Sequence, residues 1–319
     1  MKVSKHMLQF KNNFYLFDWI SFSTKYHRNP YWIISELGLE KEKWEEGVGK
    51  YKYRQKLWFD CISILYDGTQ PDMGILCEMS GQGCRAFESY GHGDYNRLFK
   101  ELFKNKDMVN ITRIDIAFDD HEGLFNIETL LEDTRKQEFS CKSEEYMCTF
   151  GTRGISIQHG RKVSNVMVRI YDKAMEQNKQ DEGHWIRVEL VIKNEPAMKF
   201  VEKYVANNDC LPLIYSGVLD NHLRYVIPSK TDTNKSRWES KPYWKKFINE
   251  AEKIRLFERP GVDYNEKKLK EYAIDQAGSS MQTYMRLKGI DEVLQEIFAI
   301  DIDKRNPKYK KLLKEHGKE

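Results

Sequence analysis

The chain has 319 residues, 40% hydrophobic and 32% charged, which is enough to bury a sizeable core beneath a highly charged surface. No stretch approaches the ~20 apolar residues of a membrane-spanning helix, and the opening "MKVSKHMLQF" lacks the apolar core of a secretion signal, so a cytoplasmic protein with no membrane partner is expected. The net charge of +3 is unevenly spread: from Ser229 onward 21 Lys and Arg face 16 Asp and Glu, a net of +5 that leaves −2 for the rest, and a basic tail of this kind suits a polyanion.

The elements follow in chain order. Phe14–Ser23 is an aromatic-rich strand. A short helix comes next, with Asn29 as N-cap, Pro30 at its first position and Gly38 as its stop. Lys56–Tyr66 alternates as one strand, paired in a hairpin with Ile75–Ser80. Asp94 caps a helix to Lys104, Asn110–Asp119 is a strand, and another helix opens near Asn126. "GISIQHGRKVSNVMVRIY" is a second hairpin, turning at Gly160. His184–Lys193 is a strand and Glu195–Val205 a helix. Hairpins mixed with helical crossovers give an α+β fold with a largely antiparallel sheet, and no internal repeat is visible. Apolar residues thin out over "TDTNKSRWES", which places a boundary between residues 1–228 and a helical region, 229–319. The basic end, "KRNPKYKKLLKEHGKE", is expected to fray.

The six cysteines form no Cys-x-x-Cys pair and read as reduced thiols. The chemistry lies in three strands. In "ITRIDIAFDD", alternation puts Arg113, Asp115 and Asp119 on one face and Ile114, Ile116 and Phe118 on the other. "WIRVELVIK" does the same with Arg187 and Glu189. In "VRIYDKAMEQ", Arg169, Tyr171 and Lys173 project together. Carboxylates inside apolar strands need a partner. Either Asp115 and Glu189 pair with Arg113, Arg187 or Arg169, or they bind a hard cation such as Mg²⁺ or Mn²⁺. A phenol flanked by cations is a candidate nucleophile, because nearby positive charge offsets its high pKa.

Four segments, "MSGQGCRAFE", "RIDIAFDD", "RIYDK" and "WIRVELVIK", resemble in order and style the rolling-circle replication initiators of Gram-positive plasmids, phages and integrative elements, and the related conjugative relaxases. The resemblance spans roughly Phe14 to Val205. It implies a replicase-like antiparallel sheet carrying a sequence-specific nickase and strand transferase that acts through a covalent 5′-phosphotyrosine. Its nucleophile matches Tyr171, flanked by Arg169 and Lys173. Asp115 and Glu189 match the metal ligands, with Asp119 as a third. It also implies an origin of replication or transfer as substrate, a host helicase as partner, and a homodimer. The His-hydrophobic-His motif of many tyrosine nickases is missing from the sequence, so carboxylate ligands are required; His121 beside the acidic pair reads as a loop residue.

Further DNA contacts are expected from Arg187 and from "SGQGCR", a tight turn whose glycines supply positive φ and where Arg85 meets a phosphate. It lacks the Lys-Ser/Thr of a nucleotide loop. "NKSRWESKPYWKKF" interleaves Lys235, Arg237, Lys241, Lys245 and Lys246 with Trp238 and Trp244. That pattern suits either a nucleic-acid surface or an amphipathic linker docked on the catalytic domain. Two other functions stay open, a metal nuclease that activates water and a non-catalytic DNA-binding regulator.

Overall fold

Two twelve-residue strands, Asn13–Thr24 and Val109–Asp120, pair antiparallel at the centre of the sheet. The computed structural model describes residues 9–10, 13–207, 210–248, 269–300 and 313. In chain order the strands are β1 (Gln9–Phe10), β2 (Asn13–Thr24), β3 (Glu45–Val48), β4 (Tyr53–Phe59), β5 (Ile62–Gly68), β6 (Ile75–Met79), β7 (Val109–Asp120), β8 (Phe139–Cys141), β9 (Tyr146–Gly151), β10 (Gly154–His159), β11 (Val166–Asp172), β12 (Ile186–Lys193) and β13 (Leu223–Tyr225). The main sheet runs β3-β4-β5-β6-β2-β7-β12-β11-β10-β9, with β1 on β2, and every pairing is antiparallel; β8 and β13 form a separate pair.

The helices are α1 (Pro30–Leu37), α2 (Gly81–Tyr90), α3 (Tyr95–Phe103), α4 (Ile127–Arg135), α5 (Lys173–Glu176), α6 (Asn194–Ala206), α7 (Leu211–His222), α8 (Pro242–Ile248), α9 (Gly278–Lys288) and α10 (Ile290–Phe298). The expected caps are present: Asn29, Asp94 and Asn126 each accept a backbone N–H, and Gly38 closes α1 at φ 69°. The fold is the expected α+β arrangement of a large antiparallel sheet with flanking helices.

The two halves of the sheet repeat one topology, although the sequence shows no repeat. A long strand (β2 or β7), a helix (α1 or α4) and a four-strand meander (β3–β6 or β9–β12) return to pair with that long strand, and a helix follows (α2 or α6). One face carries the core: Ile114, Ile116, Phe118, Val188, Leu190, Ile192, Val168 and Ile170 are all buried. Helices cover it. Phe17 packs on Tyr95 of α3 and Tyr204 of α6 (ring centres 4.5 and 5.5 Å apart), and Tyr215 of α7 donates to the Val188 carbonyl at 2.9 Å. Each such large apolar side chain contributes about 1.5–3 kcal/mol by burial.

Three expectations differ. Lys56–Tyr66 is two strands, not one, because the chain reverses at Asp60 and Cys61, with Asp60 at φ 51°; no glycine marks that turn. "SGQGCR" is the start of helix α2, and Gly81 and Gly83 are not in the left-handed region. They are glycines because of crowding: a Cβ on Gly83 would lie 2.4 Å from the Cys61 carbonyl oxygen. The third is the boundary. Two compact units divide the chain at Leu256 and Phe257, so residues 229–248 belong with the sheet. Trp244 is fully buried, and Phe247 packs on Phe118 and Phe125 at 4.7 and 4.8 Å.

In the second unit α9 and α10 follow a π-helical turn, Glu271–Gln276, and Tyr284 donates to Glu296 at 2.9 Å. The basic run from Lys304 lies outside the described residues, Leu313 apart.

Candidate active site

The face opposite the core carries the charged residues, and strand register fixes which of them meet. Tyr171 on β11 lies opposite Arg187 on β12, which lies opposite Asp119 on β7. One step along, Arg169 is opposite Glu189, with Asp115 further down β7. Asp115, Asp119, Arg187, Glu189 and Tyr171 are all buried, so each charge needs a partner.

Each has one. Arg113 binds both oxygens of Asp115, at 2.8 and 2.5 Å. Arg169 donates to both oxygens of Glu189 at 2.6 Å. Arg187 binds Asp119 through two bonds, at 2.6 and 2.7 Å. The Tyr171 phenol donates to Glu189 Oε2 at 3.2 Å. The arginine-pairing alternative therefore describes the geometry of all three carboxylates.

Arg169 and Lys173 both lie 5.5 Å from the centre of the Tyr171 ring. Lys173 arrives differently from the expected alternation. The strand stops at Asp172, whose side chain caps α5, and Lys173 opens that helix, paired with Glu176. The cations do not lower the phenol's pKa on balance. Burial raises it most and the Glu189 carboxylate raises it further, outweighing Arg187 and Arg169. The proton thus stays on the phenol until an acceptor takes it, and the acceptor in contact is Glu189.

Burial also pushes the Asp115 carboxyl up to about 7; the bond from Arg113 opposes this and the nearby Glu189 adds to it. Two neighbouring carboxylates of which one resists ionisation suit a hard cation. Magnesium in particular is commonly held by one or two carboxylates, with water and substrate phosphate completing its shell. Asp115 and Glu189 carry oxygen donors of that kind, although both oxygens of each accept from Arg113 or Arg169. Asp119 is held by Arg187, and among the described residues no group of three or more His, Cys, Asp or Glu is placed to hold a metal.

The other expected DNA contacts do not converge here. Arg85 is turned inward, donating to the Phe17 carbonyl at 2.8 Å and to Glu88 at 2.6 Å, so it is not a free phosphate ligand. The 235–246 segment is docked on α4 and the small β8–β13 sheet. Lys241 pairs with Asp133 and Glu138, Arg237 with Asp232 and Lys245 with Glu239, while Lys235 donates to the Gln137 carbonyl. Trp238 donates to the Asp232 carbonyl and Trp244 to Asp220. Buried in the core, Trp244 cannot stack on a base. Lys246 is exposed.

Asp18 was missed. It is the extra residue where the β2–β7 register shifts between Phe17 and Trp19, and it binds Arg187 at 3.0 Å. An acidic residue inside "FYLFDWISFS" is the same signal that singled out Asp115.

Residues 109–298 match the replication initiation factor family, and residues 14–105 match the N-terminal domain of rolling-circle replication initiation proteins. A putative DNA relaxase NicK from Bacillus subtilis (strain 168) is 30% identical over 268 residues, covering 78% of this chain and 75% of the relative. A solved rolling-circle replication initiator protein from Geobacillus stearothermophilus superposes with a TM-score of 0.69 at 27% identity, covering 77% of this chain and 99% of that one. Both halves of the sheet and the helices through α10 lie within these matches. The chain belongs to the replication initiation factor family of rolling-circle initiators and relaxase-like DNA nickases.

Proposed function

We propose that Tyr171 is the nucleophile of a DNA-nicking and strand-transfer reaction at an origin of replication or transfer. The observation that carries this reading is the phenol's hydrogen bond to Glu189 on a face where Arg169, Arg187 and Lys173 surround it. As the phenolic oxygen attacks phosphorus, its proton passes to Glu189 Oε2 along that bond. The P–O3′ bond breaks and the 3′ oxygen leaves with a proton from solvent. The 5′ phosphate stays on Tyr171 as an ester that retains the energy needed for rejoining. Arg169, Arg187 and Lys173 hold the non-bridging oxygens and offset the charge that develops there.

A divalent ion, Mg²⁺ or Mn²⁺, held by Asp115 and Glu189, supplies further neutralisation of the scissile phosphate when bound. Residues 1–248 carry the nicking site. Exposed Lys246 on the first unit and the lysines and arginines of the second unit add duplex contacts, and a helicase and a second copy of the chain are the partners this role calls for. The setting is the cytoplasm, where the element's DNA lies.

The burial of Tyr171, 7% exposed, favours one other reading, in which water attacks and the phenol only orients Glu189. One experiment separates them. Labelled single-stranded DNA is incubated with the protein and Mn²⁺, then denatured. Label on the protein band supports Tyr171 attack; cleavage without label supports the water mechanism.

A further inference from the structure

The "SGQGCR" segment does its work from behind the active face, and its point of action is Asp18. Three contacts converge there. Arg85 donates to the carbonyl of Phe17, the residue just before the bulge, and fixes the backbone where β2 gains its extra residue. Gly81, at the first position of α2, leaves room for the Asp18 carboxylate; a Cβ there would lie 2.7 Å from Asp18 Oδ1. The other oxygen, Oδ2, holds Arg187 at 3.0 Å. Asp119 grips the same guanidinium from the opposite side, through Nε and one terminal nitrogen. Bulges beside active sites re-aim side chains, and this one turns an acid of the first half of the sheet onto the cation opposite Tyr171.

We propose that Asp18 is a positioning residue for the nicking step, and that Gly81 and Arg85 exist in this motif to hold it. Asp18 and Asp119 clamp Arg187 in one orientation beside the Tyr171 phenol, so that its free N–H groups meet the phosphate at a fixed place. The first half of the sheet thus completes the site of the second. This proposal rests on the reading of Tyr171 as nucleophile.

The test uses the full-length protein and single-turnover formation of the covalent adduct at saturating oligonucleotide. Asp18→Ala should slow the adduct about tenfold to a hundredfold, the cost of a slightly misplaced catalytic group, with oligonucleotide Kd within about twofold. Asp18→Asn, whose oxygen still accepts from Arg187, should recover part of the rate. Gly81→Ala touches no reacting group, and alanine is a good helix former. It should nevertheless slow the wild type by a similar factor and have no further effect in the Asp18→Ala background. A wild-type rate for Asp18→Ala, or an undiminished Gly81→Ala effect in that background, overturns the proposal. Thermal unfolding tests the clamp apart from nicking: Asp18→Ala should lower the Tm of the wild type but not of Arg187→Ala. Additive Tm losses would refute the clamp. Absence of any wild-type adduct would refute only the nucleophile reading.

Discussion

Tyr171 and Glu189 lie diagonally across β11 and β12, the phenol donating to a carboxylate whose two oxygens are also gripped by Arg169. A tyrosine raised by burial and by this same carboxylate is not a preformed phenolate. On the proposed reading, its reactivity depends on Glu189 accepting the proton while Arg169 holds that carboxylate in place. The two residues therefore have separable defects.

Tyr171→Phe removes one hydroxyl and keeps the ring between Arg169 and Lys173. Glu189 keeps its two bonds to Arg169, so the change in stability should stay within about 1 kcal/mol. Nicking and the covalent adduct should vanish together, while single-stranded DNA still binds. Adduct formation at the wild-type rate would remove Tyr171 as nucleophile.

Glu189→Gln and Asp115→Asn keep shape but remove charge. Glu189→Gln takes away the proton acceptor and leaves Arg169 without its counter-ion. The stability loss should be about 2 kcal/mol, below the ~3–5 of a fully buried pair, because the Arg169 side chain is 39% exposed. Cleavage should fall a hundredfold or more. Asp115→Asn should instead raise the Mn²⁺ concentration needed for half-maximal cleavage by about tenfold or more. Full wild-type activity in excess chelator would remove the metal from the reading and return Asp115 to purely structural pairing with Arg113.

The sheet, its central strands and the capped helices were legible because each rests on a local signal: alternation, Asn29 or Asp94 at a helix start, Gly38 at a stop. The polar face was legible for the same reason, since charges in otherwise apolar strands are conspicuous. What stayed hidden depended on contacts distant in sequence. The core residues of β2 are Tyr15 and Phe17, then Ile20 and Phe22; this change of phase marks the bulge at Asp18, but from Phe14 to Ile20, where every residue except Asp18 is apolar, it cannot be seen. The glycines of "SGQGCR" suggested a turn because their tight packing on Cys61 and Asp18 leaves no trace in the local pattern. Trp244 looked like a base-stacking residue because an aromatic among lysines reads the same whether it faces DNA or the core.

A third prediction concerns acid. His159 and His222 are buried, and His159 Nδ1 and His222 Nε2 have no hydrogen-bond partner among the described residues. Burial lowers them to about 3 and about 4 respectively. A folded pKa below the unfolded ~6.5 means that stability is complete above pH 6.5. It is lost as pH falls, because the unfolded chain takes up the protons first. Asp115, raised to about 7, acts in the opposite sense, so the histidines are best isolated by difference. From pH 7 to pH 5, His222 alone should cost about 2 kcal/mol. Urea midpoints across this range should fall less in His222→Gln than in the wild type. Parallel profiles would show that His222 is not held neutral.

The last prediction concerns where the chain can be cut. A truncation at Pro228 follows the composition boundary and spares every proposed catalytic residue. It also removes Trp244 and Phe247, which pack against Phe125 and Phe118 on the core side of β7, directly behind Asp119. Losing either ring costs about 3–5 kcal/mol, a large share of the ~5–15 that holds a typical domain together. The Pro228 truncation should therefore be largely unfolded or insoluble. A chain ending at Leu256 keeps those rings and removes the second unit with its 13 Lys and Arg. It should melt close to the full-length protein and still cleave a single-stranded oligonucleotide, which needs only the site and a few phosphate contacts. Selecting one origin in duplex DNA needs further groove and backbone contacts that weaken steeply with salt, and these should be lost. Circular dichroism of both truncations, oligonucleotide cleavage, and competition between origin and random duplex at fixed salt measure all three outcomes. A well-folded Pro228 truncation would show that the 229–248 segment is not part of the core. Origin preference surviving at Leu256 would place recognition on the sheet.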